Sequence, residues 1–317
     1  MIVTLPANIY RYVWQESRWH QLALVGLTAC VSLFEVAPLE LQRRIVNDVV
    51  KHRQYWFIIA LCGGYIGTVL IQGGTKLVLN VYRNWVGESA VRDLRQRVHS
   101  LVTDTSPASS GSEARGIQAS MIVSEVESVG SFVGGSVSEP VLQAGILCSV
   151  VGYMIHVDLS MAAVVILFFI PQLIFVPMMQ NAMNRRTRVR VRVIRQLSIS
   201  VVEGGGDVVR ERDDNKRIDR VFALNMGIYK FKFSMNFLMN LSTQLQIIGA
   251  LAVGAWAVLN NQLEIGGVVA FVSGIGRITD PWGDLVNYFR DANISEVKFA
   301  LVRDALSQEA AGLATAA

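Results

Sequence analysis

Two apolar runs, Met161–Met183 and Phe233–Leu259, bracket a polar stretch that carries 13 of the 29 Lys and Arg residues in the chain. Each run is long enough to cross a bilayer as a helix, since about 20 residues rising about 1.5 Å each cover the roughly 30 Å hydrocarbon layer. The stretch from Asn184 to Lys232 therefore starts and ends at a membrane. Its first part alternates Arg and Val, but Arg185, Arg188, Arg192 and Arg195 also share one helical face while Val189, Val193, Leu197 and Val201 share another. No turn residue separates it from the preceding span, so a continuing helix is expected. Gly204, Gly205 and Gly206 then break the helix, a charged run follows, and a helical return is expected through Ile218, Val221, Phe222 and Asn225. The outcome is two long helices joined away from the lipid by a short charged element. Nucleic-acid binding is set aside, because the basic residues lie between spans and are not interleaved with exposed aromatics.

With 52% hydrophobic and 17% charged residues, the 317-residue chain is read as an all-α integral membrane protein. Six spans are expected at about 21–40, 55–80, 131–156, 160–183, 234–259 and 265–289. Placing the N-terminus inside puts 23 Lys and Arg on the inner side. Four lie outside (Arg43, Arg44, Lys51, Arg53) and two within spans. That asymmetry predicts a multi-pass protein of the plasma (inner) membrane with both termini cytoplasmic. Residues 1–20, with Tyr12, Trp14 and Trp19 among polar residues, are expected to form an interfacial helix, and no cleavable signal is read there.

The second span keeps helical spacing without proline from Tyr55 through Leu101, giving a helix of about 45 residues, or about 70 Å. A turn cluster at Thr105–Gly111 should end it, with a return helix from near Gln118. The chain thus makes two long inward hairpins, while the outer connections at His156–Leu159 and Leu259–Gly266 are short. Gly63 with Gly67, and Gly130 with Gly134, match the small-xxx-small spacing of close helix pairs.

An ionisable group facing lipid at mid-bilayer costs about 2.5–3.5 kcal/mol, so Glu35, Lys76, Glu139, Arg277, Asp280 and Asp284 must pair, sit near an interface or face a wet cavity. Glu35, Lys76, Arg277 and Asp280 are the candidates to line a translocation path, with structural ion pairing as the competing reading. Gln72, Gln143, Gln172 and Gln244 are expected to face other helices. Pro171, Pro177 and Pro281 are expected to kink or hinge their spans. Cys30, Cys62 and Cys148 read as small buried hydrophobes, and the four histidines are scattered, so no metal site is expected.

Arg92-Asp-Leu-Arg95, Ser106-Pro107, Gly116 and Ser124-Glu-Val-Glu127 in the first hairpin carry a resemblance that continues in Glu203, Val208 and Phe222 in the second. Ala270-Phe271, Pro281 and Lys298 extend it through the last span. Over residues 10–306 the chain resembles the membrane domain of ATP-binding cassette transporters of the exporter type. The Gly204–Gly206 triplet departs from that family's usual pattern at the second tip. The resemblance implies six spans extending into the cytoplasm and two coupling helices that dock on ATPase domains. It places coupling at Ser106, Pro107, Ala108, Ser109, Ser110 and Gly111, and at Asp207, Val208, Val209, Arg210, Glu211, Arg212, Asp213, Asp214 and Asn215.

No lysine in the chain is preceded by Gly and followed by Ser or Thr, so the phosphate-cradling loop of such ATPases is absent from this sequence. MgATP is therefore expected on a separate ATPase subunit, with a second membrane subunit, identical or similar, completing the pathway. Residues 307–317, rich in Ala and Gly, read as a flexible tail. Two other readings stand beside this one: a proton-coupled transporter using Glu35 or Asp280, and a membrane scaffold that does not transport.

Overall fold

In hydrocarbon every backbone N–H must find its acceptor within the protein, and a run of apolar residues meets that demand most simply as a helix. The computed structural model describes residues 6–51, 55–104, 126–202 and 208–316, and among these it contains helices and no strand. The helices are α1 (Ile9–Phe34), α2 (Val36–Val50), α3 (Tyr55–Asp104), α4 (126–135), α5 (Ser138–Val157), α6 (Leu159–Val202), α7 (Val208–Leu259) and α8 (Ile265–Ala316). Five stretches of the described residues are long and apolar enough to cross a membrane, on α1–α2, α3, α4–α5, α6 and α7. The sixth expected span opens α8, where Arg277, Asp280 and Asp284 dilute its apolar character. The fold is that of a six-helix membrane domain.

Length is the next informative quantity. Helices α3, α6, α7 and α8 have 50, 44, 52 and 52 residues, or about 65–80 Å each, where a span needs about 30 Å. The Arg/Val alternation after Met183 is helical, as expected from its continuity with the span. Residues 208–215, expected as a short separate element, form the first turns of α7 instead. Nothing in Val208–Phe222 breaks a helix, and the acids near its start suit the positive end of the helix dipole. Helix α8 likewise continues to Ala316, through the Ala-rich stretch read as a tail.

The described residues divide into two compact units, Met1–Tyr153 with Arg277–Ala317, and Met154–Gly276. In the first unit, α1 is interrupted at Ser17 (φ −135°, ψ 23°), where the Ser17 hydroxyl donates to the Val13 carbonyl (2.9 Å). Before the break, Ile9, Tyr12 and Val13 are buried, Tyr12 lying against Phe299 with ring centroids 5.4 Å apart. Tyr10, Trp14 and Trp19 stay exposed beside Arg11 and Arg18. Tyr10 meets Phe132 edge-on at 5.7 Å, and Phe132 stacks on Tyr288 at 6.1 Å. The N-terminal turns are thus packed against the far part of α8.

Two more interruptions in this unit have one cause. Pro38 and Pro140 each stand third in their helices, α2 and α5, and a proline there deprives the carbonyl four residues back of its donor. The chain turns at Glu35 and at Ser136–Val137. Side chains of α8 reach both turns: Tyr288 Oη donates to the Ser136 carbonyl (2.6 Å), and Arg277 Nη1 to the Glu35 carbonyl (3.3 Å).

The two glycine pairs part company. A Cβ on Gly134 would lie 2.2 Å from the Arg83 carbonyl oxygen, and one on Gly130 2.1 Å from Val91 Cγ2, so here α3 and α4 touch backbone to backbone. Gly63 and Gly67 face open space within the chain.

In the second unit α6 and α7 run antiparallel and pack along their lengths. Gly249 admits Val164 and Phe168, and Gly254 admits Met161 and Val268. Pro171 and Pro177 lie within α6, and the Ser242 hydroxyl donates to the Phe168 carbonyl, next to the one that Pro171 leaves without a helical donor. Of the four glutamines expected between helices, Gln143 and Gln172 are buried and Gln72 is half-buried, but Gln244 is exposed. Gln246, two residues on and 200° around the helix, takes the buried place. Cys30, Cys62 and Cys148 are also exposed rather than buried. In a bilayer the outward face is as apolar as the core, so a small hydrophobe is not forced inward.

Candidate functional site

The ionisable residues of the spans fall into two groups, both in the first unit. At the turn between α1 and α2 the Glu35 carboxylate, with 9% of its side chain exposed, is ion-paired to Arg277 of α8. Arg277 also holds the Glu35 backbone carbonyl, so one guanidinium serves both the charge and the break that Pro38 introduces. Of the four proposed path residues, the structure brings these two together. Lys76 and Asp280 are exposed on α3 and α8, and both lie within electrostatic reach of Asp284.

The second group joins three helices. Arg83 of α3 is ion-paired with Glu139 of α5, and the buried Gln143 amide donates to Glu139 Oε1 (2.8 Å) and to Asp284 Oδ2 of α8 (3.3 Å). With Lys76 and Asp280 nearby, this gives three carboxylates and two cations around one polar contact. Sequence reasoning named Glu139, Gln143 and Asp284 but did not connect them, and it missed Arg83. The signals were present: Arg83 stands seven residues, two helical turns, after Lys76, and Glu139 and Gln143 are four apart. Near the other end of the spans, Glu40 binds Arg43 Nε (2.9 Å), Arg44 Nε (2.7 Å) and Tyr153 Oη (3.0 Å). Two of the cations that broke the charge rule, Arg43 and Arg44, thus share one carboxylate.

The proposed coupling residues are reached only in part. Ser106–Gly111 and Asp207 lie outside the described residues. Val208–Glu211 are helical, Arg212, Asp213 and Asn215 are exposed, and Asp214 is half-buried. Lys216 Nζ binds Asp213 Oδ1 and Arg217 Nη1 binds Asp214 Oδ1, each at 2.9 Å. Exposed pairs of this kind, three residues apart on one helix face, contribute little and serve to firm the helix start.

Long membrane helices that project well beyond their apolar windows and are tied to one another by part-buried ion pairs define the class: a polytopic helical membrane protein. The ABC transporter transmembrane region family matches residues 27–203, more than half of the chain. The chain belongs to that family, and it is a multi-pass membrane protein of the transporter kind. No curated protein matches the chain.

Proposed function

We propose that the chain is the membrane-spanning subunit of an ATP-driven, exporter-like transporter. With a second such subunit it forms the translocation pathway, and it receives the work of ATP hydrolysis from a separately encoded ATPase carrying MgATP. The observation that supports this best is the α6–α7 hairpin. Its α6 arm continues about 19 residues, or about 28 Å, past Met183 to Val202, farther than anchoring requires. Such a lever is useful only if something outside the bilayer moves its end.

In this reading ATP closes the partner ATPases, which draw together the tips at Ser106–Gly111 and Asp207–Asn215, and the helices carry that motion to the spans. Glu35, Arg277, Lys76 and Asp280 line the path. The tips and both termini lie in the cytoplasm of a cell whose plasma membrane holds the protein, and residues 1–20 lie along its inner face. The exposed Tyr10, Trp14 and Trp19 beside Arg11 and Arg18 support that last placement.

The test replaces residues 207–215 with a Gly/Ser linker of equal length. Transport and stimulation of the co-purifying ATPase should fall to background, while membrane insertion and helix content stay unchanged; undiminished stimulation would overturn the assignment. Uptake driven by a pH gradient in a preparation free of any ATPase, and lost in Glu35→Gln, would instead establish a proton-coupled transporter.

A further inference from the structure

Helix α6 contains no Asp or Glu, and neither does α7 from Arg220 to Leu259. The part of the second unit next to the membrane therefore has cations and no carboxylate to meet them. Two of the α6 arginines are engaged on the face toward α7. The Arg186 guanidinium lies 4.4 Å from the centre of the Phe231 ring, and Arg190 Nη1 donates to Asn225 Oδ1 (3.2 Å). Arg185, Arg188 and Arg192 lie on another face, are exposed, and have no acidic partner among the described residues.

That face has a regular continuation into the span. Leu167, Ile170, Ile174, Met178, Asn181, Arg185, Arg188 and Arg192 follow one another at spacings of three and four, and all are exposed. Along one straight stripe the surface is apolar for about 16 Å, polar at Asn181, then cationic for about 10 Å. This is the profile of a single phospholipid: an acyl chain, a glycerol level, and a phosphate region. We infer that this stripe of α6 binds an anionic phospholipid of the leaflet on the arginine-rich side, its acyl chain along Leu167–Met178 and its phosphate held by Arg185 and Arg188, with Arg192 reaching the headgroup. Guanidinium groups suit this task because they bind phosphate oxygens in pairs and carry their charge at every physiological pH. Lipid, rather than a soluble acidic protein, is the chosen occupant because the apolar and cationic parts form one unbroken face and the switch between them falls at the end of the span.

The experiment titrates the full-length protein in mild detergent with palmitoyl-oleoyl phosphatidylglycerol and, separately, with the phosphatidylcholine of the same chains, counting bound lipids by native mass spectrometry. At about one kcal/mol per cation near an anionic headgroup, three arginines correspond to a preference on the order of 100-fold for phosphatidylglycerol. The triple variant Arg185→Gln, Arg188→Gln, Arg192→Gln should bring that preference to within about twofold. The corresponding triple lysine variant, and Arg212→Gln with Arg220→Gln farther along the hairpin, should each keep most of it. Equal binding of the two lipids by the unaltered protein would overturn the inference, as would an unchanged preference in the triple glutamine variant. So would a triple glutamine variant that loses its dimer while retaining lipid, since the stripe would then be an interface between copies.

Discussion

Arg277→Gln should destabilise the protein by about 3 kcal/mol, because it leaves the Glu35 carboxylate buried without its counter-charge. Removing one partner of a buried pair costs more than the pair contributes, since the remaining ion has already lost its water. The double variant Glu35→Gln, Arg277→Gln should therefore recover most of the loss: it has no charge left to desolvate, and two amides can still bond each other. Denaturation midpoints of the two single variants and the double variant in the same detergent measure both terms, and a double-variant loss equal to the sum of the two single losses would show that the pair carries no coupling. Transport by the double variant adds a separate reading. Recovered stability with lost transport marks the pair as part of the pathway; recovery of both leaves it as a strut at the Pro38 break.

Gly134→Ala is the second substitution expected to do large damage, although it adds a single methyl. The new carbon would sit 2.2 Å from a backbone oxygen of α3, and a backbone cannot rotate out of the way as a side chain can. Overpacking at such a contact costs about 3 kcal/mol. It also displaces Arg83, whose side chain is bound to Glu139, so the polar contact of α3, α5 and α8 should loosen with it. Gly63→Ala, in the same spacing motif on α3, meets nothing within the chain and gains the better helix propensity of alanine, about 0.5–1 kcal/mol. Purified yield and thermal midpoint of the two variants should move in opposite directions; a Gly134→Ala protein as stable as the parent would show that the helices do not touch there.

The comparison of these glycines shows what was legible beforehand. Helix existence and length were, because apolar runs without breakers leave the backbone one option in a bilayer: α3 and α6 run where the spacing of Val91, Leu94, Val189 and Val193 placed them. Which side of a spanning helix faces the protein was not. Lipid accepts Leu, Cys and Gly as readily as a packed core does, so hydropathy gave the same signal at Gly63 as at Gly134, and at Cys30 as at a buried valine. Gln244 and Gln246 were likewise equivalent until the rotation of α7 was known. The turns at Glu35 and Ser136 were readable in principle, three and four residues before the prolines that go with them. The α8 side chains that satisfy those turns come from more than 150 residues away, and no local pattern announces them.

The packing of Tyr10 and Tyr12 against Tyr288 and Phe299 sets an order of assembly. Tyr10 and Tyr288 stand 278 residues apart in the chain. At about 5–20 residues per second, some tens of seconds separate the two. Throughout that interval Ile9, Tyr12 and Val13 need shelter elsewhere, and a bilayer surface is the nearest apolar one. Docking of α1 then waits for α8, so a chain arrested before residue 288 should hold its other helices with α1 still undocked.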